Sequence, residues 1–185
     1  FGHDDGHTLE RYLATGGYEG LRAALAKAPT EVGDQVKAAS LLGRGGAGFP
    51  AGTKWGFCPP GVWPRYLVVN GDESEPGTYK DRLLMERDPH QLIEGVLIAA
   101  YAIGAAQAFL YVRGEMALAQ ERIAQALNDA YAKGCDAANK GDCYEAARAS
   151  AAGSVGRSAW TTLRHSGQRR PGERQRRPSA ARSRG

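Results

Sequence analysis

The chain has 185 residues, of which 42% are hydrophobic and 24% are charged. This size and composition fit one globular domain with a sizeable core and do not favour two full domains. The formal net charge is +4, but residues 1–134 carry 13 Lys and Arg against 16 Asp and Glu, whereas residues 135–185 carry 11 against 4. Because the predicted folded body is acidic, the overall basic charge does not by itself indicate nucleic-acid binding, and we expect no nucleic-acid partner.

The three cysteines, Cys58, Cys135 and Cys143, include no CxxC pair. They do not supply the four thiolates of an iron–sulfur cluster or a structural zinc site, and no metal site is predicted. An odd number of cysteines also argues against a secreted disulfide scaffold. Since no basic-then-apolar leader is present and the sequence begins at Phe1, we expect a cytoplasmic protein and a fragment of a longer one.

The first part of the chain predicts short helices followed by a loop and a strand. Residues 8–40 have the amphipathic spacing of short helices, with Pro29 ending one helix and Thr30 capping the next. A glycine-rich loop follows at residues 43–52. The apolar run at residues 66–70 predicts a strand that is covered on both faces. An acidic loop comes after it, and residues 79–88 are expected to form a solvated charged connection.

Two further helices and a second strand are predicted beyond this point. Asp88 followed by Pro89 is a helix-start pattern. The apolar run at residues 95–112 reaches the minimum length of a membrane span, but its residue types divide it into a helix to about residue 103 and a strand at residues 108–112. A helix is predicted over residues 116–133, and the order predicts an α/β fold, with N-terminal short helices before a partial parallel sheet in Rossmann-like β-α-β-α order. No membrane span is expected.

Residues 135–185 differ in composition from the rest of the chain. Small residues come first, and from residue 155 onward there are nine Arg and no Lys. Such a segment cannot bury enough apolar surface to offset its ordering entropy, so we predict a disordered tail. We therefore divide the chain into a helical layer plus partial α/β domain at residues 1–134 and a low-complexity tail at residues 135–185. The tail is either a nucleic-acid-binding arm or the product of out-of-frame translation, and sequencing the parent gene distinguishes the two.

The glycine loop matches the GxGxxG pattern of a dinucleotide-binding turn at residues 43–48. Its context does not fit that turn, because no strand is predicted before it and Phe49 and Pro50 follow where a helix should begin. It is not a Walker loop either, since no GK[ST] ends it. A glycine-rich loop still offers backbone N–H groups that a phosphate can approach without meeting a Cβ, and Arg44 and Lys54 add positive charge. The alternative is that the glycines serve the turn alone.

Polar side chains follow the first predicted strand: Asn70, Asp72, Glu73 and Glu75. Ligands of open α/β sheets bind outside the carboxyl ends of the strands. An Asn amide donates and accepts, as the edge of a heteroaromatic ring requires, and carboxylates accept from ribose or ribityl hydroxyls. Together with the glycine loop and the aromatic residues Phe49, Trp55 and Phe57, this set predicts one hollow for a flat, phosphorylated heterocycle. Three acids in four residues are also typical of a solvated loop.

Four segments carry a resemblance to a known family: GRGGAGFPAGTKWGF, RYLVVNGDESEPGTYKDR, DPHQLIEGVLIAAYAIGA and FLYVRGE. In this order they resemble the NADH-binding flavoprotein subunit of respiratory complex I and the related diaphorase subunits of NAD-linked hydrogenases and formate dehydrogenases. The resemblance runs from about residue 8 to residue 134. It implies an enzyme, the flavin subunit of an NADH:quinone oxidoreductase, that transfers hydride from NADH to FMN and passes electrons to iron–sulfur clusters.

The resemblance also implies roles for ten residues of this sequence. The phosphate end of FMN would be held by Gly43, Arg44, Gly45 and Lys54. The flavin and its ribityl chain would accept hydrogen bonds from or donate them to Asn70, Asp72 and Glu73. The NADH adenine would lie between Phe49 and Phe57, and Glu75 would lie beside the nicotinamide. Since the flavin performs the hydride step, no side chain is expected to be a catalytic acid or base.

The sequence departs from the family after residue 134. The family continues with a further FMN and NADH segment, a small β domain and a helical bundle whose cysteines bind a 4Fe–4S cluster, and the cluster ligands are absent here. Gly71 stands where Ala is common, which we expect to be a minor change. We therefore expect a truncated and impaired flavoprotein subunit. A non-catalytic remnant with the same fold and a basic-tailed nucleic-acid-binding protein are the alternatives.

The family also implies partners and a location. Other subunits of an NADH dehydrogenase complex, notably a small 2Fe–2S subunit, would bind the chain at the inner face of the cell membrane. The final electron acceptor depends on those partners and is left open.

Overall fold

The computed structural model describes the backbone of residues 4–137 and 158–164 and the side chains of residues 4–133. Four helices come first: α1 (Leu9–Ala14), α2 (Glu19–Leu25), α3 (Pro29–Ala38) and α4 (Ala51–Gly56). They are followed by β1 (Tyr66–Gly71), α5 (Lys80–Arg87), α6 (Pro89–Ile103), β2 (Gln107–Arg113), α7 (Ala117–Ala137) and β3 (Ser158–Arg164). This element order confirms the predicted α/β class.

The described strands form one sheet in the order β1-β2-β3. β1 and β2 pair in parallel, with Val68 opposite Phe109, which confirms the predicted parallel pair. β3 pairs with β2 in the antiparallel direction. The structure therefore differs from the predicted disordered tail at Ser158–Arg164, while residues 138–157 and 165–185 lie outside the described residues.

Three helix predictions need correction. Pro29 begins α3 instead of ending α2, because proline lacks the N–H that the first helical position leaves unpaired; Ala28, not Thr30, is the N-cap residue. Residues 80–87 form α5, where a solvated connection was predicted. α7 continues to Ala137, four residues past its predicted end.

The hydrophobic core lies between one face of the sheet and helices α5, α6 and α7. Alternate residues of β2 are buried against these helices: Ala108, Leu110 and Val112. On the opposite face, Tyr66 and Val68 of β1 are 56% and 59% exposed. In the described part of the chain, the prediction that β1 is covered on both faces is therefore wrong.

One residue joins α5 to α6. The backbone N–H of Asp88 donates to the carbonyl of Leu84 at 2.9 Å, which ends α5. The side chain of the same residue accepts from the N–H of Gln91 at 3.4 Å, and Pro89 occupies the first position of α6, as predicted. Burial raises the pKa of the Asp88 carboxyl.

The long apolar run divides between α6 and β2, as predicted. Across the described ranges, 4–137 and 158–164, no helix combines the length and the hydropathy that a bilayer crossing needs.

Two buried polar side chains of α6 hold the N-terminal helices. Glu94 accepts from the backbone N–H groups of Tyr18 and Leu21, each at 2.8 Å, and from the hydroxyl of Tyr12. His90 is fully buried, with its Nδ1 at 2.9 Å from the Tyr18 hydroxyl. Burial lowers the pKa of His90 to about 4 and raises the pKa of both tyrosines. His90 is thus part of a buried polar junction between α6 and the N-terminal helices.

Candidate functional site

The glycine loop is closed at its base by backbone pairing. Leu42 and Pro50 form an isolated antiparallel β-bridge. The N–H of Gly43 donates to the carbonyl of Phe49 at 2.8 Å, so this amide serves the loop itself. A short helix, α4, begins directly after Pro50, where the sequence was not expected to open a helix.

The inner amides of the glycine loop remain open. Within the described residues, no partner accepts from the backbone N–H groups of residues 44–48. A Cβ built at Gly45 or Gly46 would meet no atom within 4 Å, so the space above the loop is free. Gly46 and Gly48 have φ angles of 101° and 63°, which L side chains rarely adopt. The loop therefore presents several adjacent N–H donors to solvent, an arrangement that suits an anion.

Two basic side chains accompany these amides. Arg44 belongs to the loop and Lys54 to α4, and neither makes a hydrogen bond or an ion pair in the part of the chain that the structure describes. α4 lies close against α3. A Cβ built at Gly52 would be only 2.6 Å from the Cα of Lys37. The close approach fixes where α4 begins relative to the loop.

The structure brings Phe49 and Phe57 together. Their ring centroids are 6.0 Å apart at an interplanar angle of 47°, and the residues are 47% and 68% exposed. Trp55 is instead half-buried and packs against the cluster of Ala100, Ile103 and Ala105. The predicted aromatic group therefore separates into an exposed pair and one half-buried residue that packs against the core.

The acidic loop after β1 is shaped by its own side chains. The Oδ1 of Asn70 accepts from the N–H of Asp72 at 3.0 Å, an Asx turn. The carboxylate of Asp72 accepts from the Ser74 hydroxyl. The carboxylate of Glu75, which is exposed, makes no hydrogen bond or ion pair with any side chain or backbone group among residues 4–137. Of the four predicted polar groups in this loop, Glu75 is thus the most open to a ligand.

Glu73 has a structural task that the sequence did not indicate. Its two carboxylate oxygens accept from the backbone N–H groups of Asp81 and Arg82, at 2.7 and 2.8 Å. These are unpaired donors at the start of α5, and a carboxylate at that end also interacts favourably with the helix dipole. Glu73 therefore caps α5 from outside the helix.

A small cavity of about 50 Å³ lies behind the ends of β1 and β2. Asn70, Gly71, Met85 and Tyr111 contribute to its lining, together with apolar side chains. A Cβ at Gly71 would lie 2.9 Å from the carbonyl oxygen of Tyr111 and 3.0 Å from the sulfur of Met85. The glycine at this position is thus a packing requirement of the chain and not the minor change that we expected.

The predicted site has two parts, the glycine loop at residues 43–48 and the acidic loop at residues 70–75. Within residues 4–137, however, no hydrogen bond, ion pair or ring contact joins residues 43–48 to residues 70–75. No residue of the glycine loop lines the cavity behind β1. The shared hollow therefore stays a prediction.

Among the described residues, no three or more His, Cys, Asp or Glu side chains lie together in a way that could hold a metal ion. Cys58 is a half-buried free thiol. The side chains of Cys135 and Cys143 lie outside the described part of the chain.

An α/β domain with a loop of open amides, an arginine in that loop and a lysine in the helix that follows has features typical of domains that hold phosphorylated ligands. Comparison with known families specifies that class further. Residues 36–163 match the family model described as Complex1_51K, the Nuo51 FMN-binding domain. The chain belongs to this family, which confirms the resemblance carried by the four sequence segments.

Similar proteins share the first part of the chain. One NADH-quinone oxidoreductase subunit of Rhizobium meliloti is 54% identical over 132 residues, which are 70% of this chain and 31% of that protein. The corresponding NADH-quinone oxidoreductase subunit of Aquifex aeolicus is 50% identical over 128 residues, which are 69% of this chain and 30% of that protein. The chain thus spans about three tenths of the length of these relatives.

One solved structure is similar as well. An air-oxidized NAD+-reducing [NiFe]-hydrogenase matches at 46% identity with a TM-score of 0.45, over 54% of this chain and 19% of the hydrogenase chain.

Proposed function

We propose that this chain forms the phosphate-binding side of an FMN site in the flavoprotein subunit of an NADH-oxidising enzyme complex. One observation carries the proposal: the amides of residues 44–48 have no partner within the described residues and lie in a loop that includes Arg44. The family is named for FMN binding, and the names of the relatives include NADH.

The loop residues fit a phosphate monoester. Several adjacent N–H groups can donate to one anion, and the missing side chains at Gly45 and Gly46 leave room for its oxygens. Arg44 offers a planar fork of donors and Lys54 a mobile ammonium group, both suited to phosphate. Gly43 contributes by closing the loop, since its own N–H is already used.

The acidic loop would contact the rest of the cofactor. The Nδ2 amino group of Asn70, which makes no hydrogen bond within the described residues, and the carboxylate of Asp72 are suited to the flavin edge and the ribityl hydroxyls. Glu73 would act by holding the shape of this loop, because both of its carboxylate oxygens are bound to α5. The exposed pair Phe49 and Phe57 would contact the NADH adenine, with Glu75 on the nicotinamide side.

FMN, when bound, supplies the hydride-accepting chemistry, while the protein binds and orients it. In the complete subunit, iron–sulfur clusters and a small 2Fe–2S partner would receive the electrons. The subunit would lie at the inner face of the cell membrane as part of a larger complex. The names of the relatives, which are subunits of NADH-quinone oxidoreductases, support an assembly of this kind.

A comparison of FMN with riboflavin tests the proposal, because riboflavin lacks the phosphate. Quenching of flavin fluorescence by the purified chain gives both dissociation constants. The substitution Arg44→Ala should raise the Kd of FMN roughly tenfold or more, in line with the loss of a charged hydrogen bond, and leave the Kd of riboflavin unchanged. Arg22→Ala, at an exposed position on α2, is the matched control. Equal losses for both flavins, or no FMN binding by the unmodified chain, would contradict the proposal.

A further inference from the structure

We infer that Arg65 is a positioning residue that holds α4 in place for the phosphate side of the site. This inference rests on the proposed function for the identity of the ligand. Arg65 lies directly before β1, at the opposite end of that strand from the acidic loop. It was not among the residues that the sequence motifs singled out.

The guanidinium of Arg65 joins two separate segments of backbone. Nη1 donates to the carbonyl of Ile103 at 2.8 Å, and Nη2 donates to the carbonyl of Pro59 at 2.6 Å. Ile103 is the last residue of α6, where unpaired carbonyls gather and a positive charge is favoured. Pro59 follows α4 by three residues. One planar group therefore connects the chain after α4 to the end of α6.

The third nitrogen of the Arg65 guanidinium makes no hydrogen bond in this position. The Nε of Arg65 is buried and has no hydrogen-bond partner within the described residues. No carboxylate forms an ion pair with Arg65 in that part of the chain. A buried donor without a partner lowers the stability of the folded state, which offsets part of what the two carbonyl contacts contribute. Its two contacts share one effect, which is to fix the segment after α4.

That segment determines the position of two proposed ligand-contacting residues. Lys54 and Phe57 belong to α4 and its C-cap, and α4 has six residues, too few to be stable without tertiary contacts. At its start, Gly52 lies against α3. At its end, Arg65 holds the Pro59 carbonyl. The placement of the Lys54 ammonium group and the Phe57 ring thus depends on these two contacts, together with the packing of Trp55 between them.

The thiol of Cys58 can report on the position of α4 in the absence of a ligand. Cys58 is half-buried and packs against the cluster of Ala100, Ile103 and Ala105. The rate at which iodoacetamide modifies Cys58, measured on its own peptide by mass spectrometry, therefore measures how often α4 leaves its place. Cys135 and Cys143 are followed separately on their peptides.

The variants Arg65→Met and Arg65→Lys test the inference in the full chain. Arg65→Met should raise the alkylation rate of Cys58 by about tenfold, and Arg65→Lys should raise it less, because an ammonium group can keep one of the two carbonyl contacts. Arg22→Met, at an exposed position, should leave the rate unchanged. A wild-type rate in a folded Arg65→Met chain would overturn the inference. Thermal unfolding shows whether each variant is folded at the temperature of the assay.

The flavin titration completes the test. Arg65→Met should raise the Kd of FMN more than that of riboflavin, with partial recovery in Arg65→Lys, a pattern that a general loss of stability does not produce. Faster alkylation of Cys58 with an unchanged Kd of FMN would overturn the positioning role and leave the proposed function intact. Absence of FMN binding by the unmodified chain would instead contradict the proposed function, and with it the role of Arg65 toward the cofactor.

Discussion

The Nδ1 atom of His90 lies 2.9 Å from the hydroxyl oxygen of Tyr18, a residue that precedes it by 72 positions. The imidazole is fully buried and stacks on the ring of Tyr12, with 5.7 Å between centroids. Its Nε2 has no partner among the described residues. The junction between the N-terminal helices and α6 therefore holds a neutral imidazole.

This neutral imidazole should make stability depend on pH. Burial lowers the pKa of His90 to about 4, with Asp129 opposing the shift and His7 adding to it, whereas an unfolded histidine has a pKa of about 6.5. The unfolded chain thus binds more protons between these values. The contribution of the neutral His90 side chain to stability is therefore complete above about pH 6.5 and is lost as the pH falls toward 4.

Urea unfolding at pH 7 and pH 5 measures this effect. Between pH 7 and pH 5, the free energy of unfolding of the unmodified chain should fall by on the order of 2 kcal/mol more than that of His90→Gln, because glutamine cannot gain a proton. His7→Gln should keep the fall. An equal pH dependence in all three proteins would show that His90 is not the titrating group.

The contact between α3 and α4 should tolerate no side chain at Gly52. A Cβ there would lie 2.6 Å from the Cα and the backbone nitrogen of Lys37. Gly52→Ala should lower the free energy of unfolding by about 1–3 kcal/mol, the usual cost of overpacking. Gly56→Ala in the same helix meets open space and should be neutral or slightly stabilising. Similar melting temperatures for the two variants would contradict the close approach.

Glu73 should stabilise α5, while Glu75 should not. Removal of the carboxylate in Glu73→Ala leaves the N–H groups of Asp81 and Arg82 unpaired, so we expect a loss of about 1–2 kcal/mol, as for other helix caps. Hydrogen exchange at these two amides should accelerate. Glu75→Ala is the control, with an expected change of less than about 0.5 kcal/mol. Unchanged exchange at Asp81 in the Glu73 variant would argue against the cap.

The exposed face of β1 should promote self-association. β1 is an edge strand of the described sheet, and Val68 on its open face is 59% exposed. A charge at such a position discourages edge-to-edge pairing, so Val68→Lys should reduce light scattering on concentration at little cost in stability. Val69→Lys should instead destabilise the fold, because Val69 packs against the core. Equal scattering by Val68→Lys and the unmodified chain would place the association elsewhere.

Local patterns predicted the elements that short-range chemistry determines. Asp88 and Pro89 begin α6 as expected, since the capping side chain and the proline act within one turn. The parallel pairing of β1 with β2 followed from the strand–helix–strand order. The family resemblance, carried by motifs in a fixed order, is likewise confirmed.

Features that depend on distant residues were missed or misjudged. α5 is capped by Glu73, seven residues before its first residue, so the helix carries no local start pattern. The burial of His90 was not predicted, because no periodicity in α6 shows that Tyr18 covers it. The roles of Asn70 and the loop amides toward a cofactor stay predictions, since they concern a ligand and not the packing of the chain.

The junction at Asp88 limits how this family can vary in length. One residue both ends α5 and begins α6, so an inserted or deleted amino acid there would rotate one helix by about 100° relative to the other and turn Met85 away from the core. Between β1 and α5, Pro76 and Gly77 are exposed and lie in a turn closed by the Thr78 N–H on the Glu75 carbonyl, so a change of length there does not alter the phase of a helix. Natural insertions between β1 and α6 should therefore accumulate at these two positions and spare Asp88.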